Sequence, residues 1–357
     1  MQLTEEQVLI QDMARSFAQE QIKPCAGEWD AKGIFPAQAL QQMGELGFMG
    51  MLVPEQWGGS DTGNLAYVLA LEEVAAADGA TSAIMSVHNS VGCVPILKFG
   101  TDEQKQRFLT PLAQGRMIGA FALTEPHTGS GAAAIKTRAV KDGDDYILNG
   151  AKQFITSGHN AGVIIVFAVT DPGAGKKGLS AFLVPRDSAG YEVIRVEEKL
   201  GLHASDTCQI ALTDVRIHKS LMLGKEGEGM ALAQDTLLRA RIGHAAIALG
   251  RAAGALQIAA QYANQRQVFG QPVGAHQGIQ WMVAEMAAQI EAARCLVYST
   301  AQRYDAGDAD VAIHASIAKL HATDLCMRIV VDCLQLLGGN GYTNEYPAGR
   351  LLRDAKL

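Results

Sequence analysis

Four short segments of this chain carry residue types that could hold a ligand. The first is Phe121-Ala-Leu-Thr-Glu-Pro-His-Thr-Gly-Ser130. It leaves an apolar run, turns at Pro126 and offers the hydroxyls of Thr124, Thr128 and Ser130 beside Gly129. Glycine admits close backbone approach, and successive main-chain N–H groups with hydroxyls can bind a phosphate or a flavin edge. The second, Phe154-Ile-Thr-Ser-Gly158, places an aromatic, an aliphatic and a hydroxyl where they could wall a flat ring. The third runs from Arg266 through Phe269-Gly270 to Pro272, with Gln277 beyond. Its guanidinium suits a bidentate pyrophosphate contact. The fourth, Gln335-Leu-Leu-Gly-Gly-Asn-Gly-Tyr342, exposes backbone donors where a helix stops. It is neither a Walker nor a Rossmann fingerprint, because no strand precedes it and the Walker lysine is missing. Taken singly, each segment is also explained by ordinary structure: a strand-to-loop turn, a strand end, a helix C-terminus with a dipole-favoured arginine, and a glycine-rich helix stop.

The elements that position these segments follow helix, strand, helix order. Thr4 and Gln7 form a capping box for a first amphipathic helix that is expected to end at Pro24. Further helices are expected at 37–46, 65–77 and 80–99, with another starting at Thr101 through a second box with Gln104. From Gly119 to about His218 the pattern is that of strands. Asp142-Gly143 and Asn149-Gly150 are expected to be hairpin turns. About a hundred residues of short strands imply a small barrel or sandwich. From Met230 to about Arg266 one long helix is expected. Apolar residues at three- and four-residue spacing continue from Ile279 to Val297 and from Ile313 to Leu334, which implies a bundle. The fold class is therefore α+β multidomain. An N-terminal α-helical domain covers 1–117, a central β-barrel or sandwich 118–222, and a C-terminal four-helix bundle 223–357.

Composition narrows the function classes. The 357 residues carry a formal net charge of −7, which disfavours nucleic acid and anionic membrane as partners. Apolar runs such as Val163 to Val169 are too short to span a bilayer, and the N-terminus has no signal-peptide plan. The cytoplasm is the expected location. None of the six cysteines forms a C-x-x-C pair, so they read as small buried residues. His314 and His321 share a helix face, but no third ligand is evident, so no metal is expected.

The order and wording of the segments together resemble the acyl-CoA dehydrogenase family, and within it the short-chain, butyryl-CoA dehydrogenase-like type. The resemblance rests on Pro95-Ile-Leu-Lys-Phe-Gly-Thr-Asp-Glu-Gln-Lys105, Phe121-Ala-Leu-Thr-Glu-Pro126, Leu148-Asn-Gly150, Phe154-Ile-Thr156, Lys199-Leu-Gly201, Arg241-Ile-Gly243, Arg266 with Phe269-Gly270, Gln335 to Tyr342, and Arg353-Asp354. It implies FAD as cofactor. Phe121, Leu123, Thr124, Gly129 and Ser130 would contact the flavin and its pyrophosphate, and Phe154, Ile155 and Thr156 would cover the isoalloxazine. Arg266, Phe269, Gln277, Gln335, Leu336, Gly338 and Gly339 would reach the FAD of a neighbouring subunit, so a homodimer or homotetramer is implied. Arg241 and Leu238 fall on the family's substrate helix, and Ser130 would also touch substrate. The implied reaction is α,β-dehydrogenation of an acyl-CoA thioester to the trans-2-enoyl thioester, with electrons passed to an electron transfer flavoprotein.

Three departures accompany the resemblance. The family's catalytic glutamate is expected beyond Leu357, so the chain reads as C-terminally truncated, and the alternative family position for that base is Ala240 here. No residue in hand is therefore assigned as the catalytic base, low turnover is expected, and a C-terminal extension bearing the glutamate is expected to rescue it. Gly131 stands where the family usually has Asp. Leu238 stands where many members have an Asp that contacts the pantetheine arm. The last two leave open a carrier-protein thioester in place of CoA, and the missing base leaves open a flavin-binding homologue without turnover.

Overall fold

The computed structural model describes residues 2–357. Its first helices are α1 (Glu5–Phe17) and α2 (Lys23–Lys32), joined by a π-helical turn at Ala18–Ile22. The capping box that opens α1 is formed, with Gln7 N donating to Thr4 Oγ1 at 3.2 Å and Thr4 N donating to Gln7 Oε1 at 3.1 Å. Pro24 does not end the run. It sits in the first turn of α2, where a missing N–H costs little, and the wider π turn before it absorbs the ring. Then come α3 (Ala37–Glu45), α4 (Gly63–Ala77), α5 (Gly79–Val87), α6 (Val94–Phe99), α7 (Asp102–Gln104) and α8 (Thr110–Ala113).

The stretch expected as one helix over 80–99 is α5 and α6 joined by a π turn at His88–Cys93. As one helical run, Gly79–Phe99 is long and apolar enough to cross a membrane by length and composition, which corrects the expectation that the apolar runs are all too short. Its most apolar window is 83% buried in the protein, as in the central helix of a large packed core.

Eight strands follow. They are β1 (Gly119–Ala122), β2 (Arg138–Asp142), β3 (Asp145–Thr156), β4 (Val163–Val169), β5 (Leu179–Pro185), β6 (Tyr191–Val196), β7 (Thr207–His218) and β8 (Met222–Leu223). They form one sheet in the order β6-β7-β3-β2-β4-β5-β8, with β1 added parallel to β4. Alternate residues of β4 serve two cores. Val163, Ile165 and Phe167 face the helices, whereas Ile164, Val166 and Ala168 pack with Leu148, Ile210 and Val215 from the other half of the sheet. Tyr146 of β3 meets Phe182 of β5 with ring centroids 5.2 Å apart, although two strands separate them in the sheet order. The sheet therefore curls over its own interior and encloses a core, as the barrel expectation requires.

Asp142-Gly143 is the turn between β2 and β3, as expected. Asn149-Gly150 is not a turn, because β3 continues through it. Asn149 instead exchanges two 2.9 Å hydrogen bonds with Asp214 across an irregularity in the β3–β7 pairing. Gly150 is required there: φ is 157°, and a Cβ would lie 2.4 Å from Thr137 Oγ1.

The last part holds α9 (Gly229–Gln265), a small hairpin of β9 (Gln267–Val268) and β10 (Gln271–Pro272), α10 (Gln277–Asp305), α11 (Val311–Leu336) and α12 (Ala348–Ala355). These four helices share one continuous core with the N-terminal helices. α4 is buried on nearly every side, and Asp305 at the end of α10 caps it, accepting from Asn64 N at 2.8 Å and Leu65 N at 3.1 Å. Buried Glu72 of α4 accepts from Arg294 Nη2 at 2.8 Å and Tyr298 OH at 2.6 Å, both on α10.

Candidate active-site cleft and a second surface at the bundle end

A cleft of about 470 Å³ opens where the three parts of the chain meet. α5 lines it with Ala83 and Val87, and the end of β3 with Phe154 and Thr156. The 199–202 loop, His244 of α9 and the end of α12 complete it. Its walls are mostly apolar, and its ionisable groups are Lys199, His244, Arg353 and Lys356. Among the described residues no carboxylate lines it. A larger hollow of about 730 Å³ lies between α2 and the segment leading into α12. Most of its charged side chains already have partners: Arg353 and His203 both pair with Asp30, and Arg350 pairs with Asp78 outside the hollow. That leaves the 470 Å³ cleft as the better candidate.

Backbone conformation supports this choice. Phe154, Ser157 and Leu202 have φ of 58°, 60° and 54°, uncommon values for non-glycine residues. All three line or flank the cleft, and such conformations tend to gather at functional sites. At Phe154 the cause is visible. β3 gains one residue over β7 between Lys152, which pairs with Ile210, and Ile155, which pairs with Cys208. This bulge sends Lys152 and Ile155 to the interior and Phe154 outward, 63% exposed. Ile155 is therefore a core residue, and its side chain does not serve as a ring wall. Phe154 and Thr156 do face the cleft.

The turn after β1 is fastened to the same strand. Glu125 and Thr128 exchange two 3.0 Å backbone hydrogen bonds, and Gln153 N donates to Thr124 O at 2.9 Å. Leu123 is buried and Phe121 packs on Phe167 with centroids 4.7 Å apart, so both support the turn from behind. Thr124 is half-buried, while Gly129 and Ser130 are exposed. Glu125 accepts from Lys136 N at 2.6 Å, Thr137 N at 2.9 Å and Lys152 Nζ at 2.9 Å. Burial alone would raise this carboxyl, but the Lys152 charge and the hydrogen bonds outweigh it and hold it below its ordinary value. Burial pushes the Lys152 ammonium down to about 8 despite that partner. On α9, exposed Arg241 lies one turn from cleft-lining His244, and Leu238 is half-buried against the core.

The remaining expected residues gather elsewhere. α9, α10 and α11 alternate in direction, so the end of α9, the start of α10 and the end of α11 meet at one end of the bundle. Asn340 Nδ2 donates to Tyr262 OH at 2.8 Å and ties two of these segments together. Arg266, Gln277, Gln335, Gly338 and Gly339 are exposed there. Phe269, with φ 52°, is 92% exposed, and Leu336 is buried as their support. From His244 to the end of α9 the helix rises roughly 30 Å. One protomer therefore does not bring this set to its own cleft.

The N-terminal, middle and C-terminal domain models of acyl-CoA dehydrogenases match residues 4–116, 120–215 and 227–357. The chain belongs to the acyl-CoA dehydrogenase family. These enzymes are oxidoreductases and flavoproteins. The short-chain-specific acyl-CoA dehydrogenase of Clostridium acetobutylicum is 42% identical, over 99% of this chain and 93% of that protein. Butyryl-CoA dehydrogenase from Megasphaera elsdenii superposes with a TM-score of 0.97 at 40% identity, covering 100% of this chain and 94% of that one. A chain in the solved structure of the electron transferring flavoprotein of Acidaminococcus fermentans gives a TM-score of 0.98 at 44% identity, covering 100% and 93%.

Within this acyl-CoA dehydrogenase fold, the residues fit a bound flavin dinucleotide. A Cβ at Gly129, Gly278 or Gly339 would meet nothing within 4 Å, so the chain's own packing does not demand glycine there, whereas Gly338 is called for by its φ of 59°. Phe154 at the cleft and Phe269 at the bundle end are aromatics that the chain leaves uncovered. Sequence reasoning missed several cleft residues: Ala83, Val87, Leu202 and His244. Nothing in their local sequence marks them, because they meet only through tertiary packing. Lys152 was also passed over, yet it had a signal: a lysine in the strand position that shares a face with Tyr146 and Leu148.

Proposed function

We propose that this protein binds FAD and dehydrogenates a short-chain acyl-CoA thioester, straight or branched, to the trans-2-enoyl-CoA, with an electron transfer flavoprotein as electron acceptor. The observation that carries this reading is the cleft itself. It is a mostly apolar slot whose ionisable side chains, Lys199, His244, Lys356 and the Asp30-paired Arg353, are all basic, on a chain of net charge −7. Such a slot suits a short acyl group attached to a polyanionic carrier. The thioester makes the α-proton acidic, and FAD, when bound, supplies the acceptor for the two electrons that leave with the β-hydrogen. Phe154 and Thr156 would cover the ring. Thr124 and Ser130 would give polar contacts, Ser130 to substrate as well, with the exposed backbone at Gly129 beside them. Arg241 would orient the thioester's carrier.

Arg266, Phe269, Gln277, Gln335, Gly338 and Gly339, backed by Leu336, would reach the FAD of a second copy, which makes the functional form a homodimer or homotetramer. The exposed stripe Ile313, Ile317 and Leu320 on α11 and Trp281 on α10 supports such self-association. In this reading the domains are 1–117, 118–222 and 223–357, and the protein works in the cytoplasm. Leu238 favours a second reading: it offers no polar group to a pantetheine arm at its position, so a carrier-protein thioester is the alternative substrate.

The test follows flavin bleaching under anaerobic conditions with butyryl-CoA, isobutyryl-CoA or a butyryl acyl carrier protein. It uses the wild type and Ala240→Glu, which sets a carboxylate one helical turn before cleft-lining His244. The expected result is a ligand-induced spectral shift in both proteins and bleaching of both by a CoA ester, faster where Ala240→Glu supplies a carboxylate. Bleaching by the carrier-protein substrate alone moves the assignment to the second reading. Neither shift nor bleaching in yellow protein leaves a flavin-binding homologue without turnover.

A further inference from the structure

Lys152 is an expensive residue where it stands. Its side chain has no solvent exposure. Its ammonium donates to Glu125 Oε1 at 2.9 Å and to Leu123 O at 3.2 Å. A buried ion pair is seldom the cheapest way to stabilise a core, because apolar residues of similar volume fill the space without the desolvation cost. What the pair does is geometric. Lys152 Nζ holds the carbonyl of Leu123, and the next residue, through Gln153 N, holds the carbonyl of Thr124 at 2.9 Å. Glu125, held by the same ammonium, collects the amides of Lys136 and Thr137 at the far side of the turn. The bulge that turns Phe154 outward begins directly after Lys152. One side chain therefore sets the register between the turn Leu123–Ser130 and the strand that carries Phe154 and Thr156.

We propose that Lys152 is a positioning residue that locks these two walls of the flavin site together, acting through the Leu123 carbonyl and not merely as a counter-ion for Glu125. The inference rests on the site assignment in the preceding subsection. It separates two jobs that a structural lysine would combine: neutralising a buried carboxylate, and fixing a backbone carbonyl.

The double variant Lys152→Met/Glu125→Gln separates them experimentally. It removes both charges, so the fold keeps no unpaired buried ion, but the Leu123 carbonyl loses its donor. Apoproteins of the wild type, Lys152→Met and the double variant are titrated with FAD by fluorescence quenching, and their thermal unfolding is followed in parallel. The visible circular dichroism of each FAD-saturated protein is also recorded. Lys152→Met should unfold earlier and bind FAD at least tenfold more weakly. The double variant should recover part of the unfolding temperature that Lys152→Met loses, because no buried ion is left unpaired, remain at least tenfold weaker for FAD, and show an altered flavin dichroism. A double variant that recovers both stability and FAD affinity, with a wild-type dichroism, overturns the inference and leaves the site assignment standing. A wild type that takes up no FAD overturns the assignment and the inference together.

Discussion

The cleft and the bundle end are built in opposite ways. At the cleft, the functional backbone is held from behind by buried partners: the Lys152–Glu125 pair, the bulge at Phe154 and the polar contacts between the 199–202 loop and α12. At the bundle end, Arg266, Phe269 and the Gly338-Gly339 turn project outward, and Phe269, with its backbone at φ 52°, is almost fully exposed. One surface is preorganised by its own chain, and the other presents groups that its own chain leaves uncovered. Preorganised geometry lowers the cost of binding, whereas in the proposed function the exposed set would gain its contacts from a second molecule.

Three substitutions test this contrast, taken from the largest expected effect. Gly201 lies so close to α12 that a Cβ would sit 2.6 Å from the carbonyl carbon of Arg353. Gly201→Ala should therefore force the loop off the helix, where Asp354 Oδ1 now accepts from Leu202 N at 2.7 Å, and destabilise the protein by about 3 kcal/mol. Denaturant titration measures this; a loss below 0.5 kcal/mol would mean that the cleft wall yields easily. Arg266→Ala should behave differently. It should leave unfolding of the apoprotein within ~0.5 kcal/mol of wild type but weaken FAD binding by about 2 kcal/mol, roughly thirtyfold, as expected for losing a charge-assisted contact. Equal FAD affinity in the two proteins would remove the bundle end from the site. Phe154→Gly should part stability from function. Glycine accepts φ 58° without strain, so the fold should gain about 1 kcal/mol, while the Kd for the thioester, read from its flavin spectral shift, rises. If the variant is instead less stable, the ring packs in place and is not held out for a ligand.

Much of the layout was legible in the sequence because it depends on local patterns. The two capping boxes, the Asp142-Gly143 turn, the both-faces-apolar run of β4 and the long amphipathic helices follow from residue spacing alone. The errors occurred where a long-range partner overrode a local signal. Asn149-Gly150 has turn composition but pairs with Asp214 in a continuing strand. Pro24 has stop composition but sits in the first turn of the next helix after a π turn. Ile155 belongs to a motif implied to cover the flavin, yet one inserted residue turns its side chain into the core.

By itself, then, the sequence determined the order of helices, strands and helices, the family, and which short segments carry residue types suited to holding a ligand. All of these reside in residue types at fixed spacing along the chain. Only the tertiary structure decided that Phe154 faces outward, that Lys152 is buried beneath the turn after β1, and that the segments divide between a cleft and a bundle end roughly 30 Å apart along α9. Those outcomes depend on register, bulges and helix direction, which arise from pairing between residues far apart in the chain and leave no periodic trace within it.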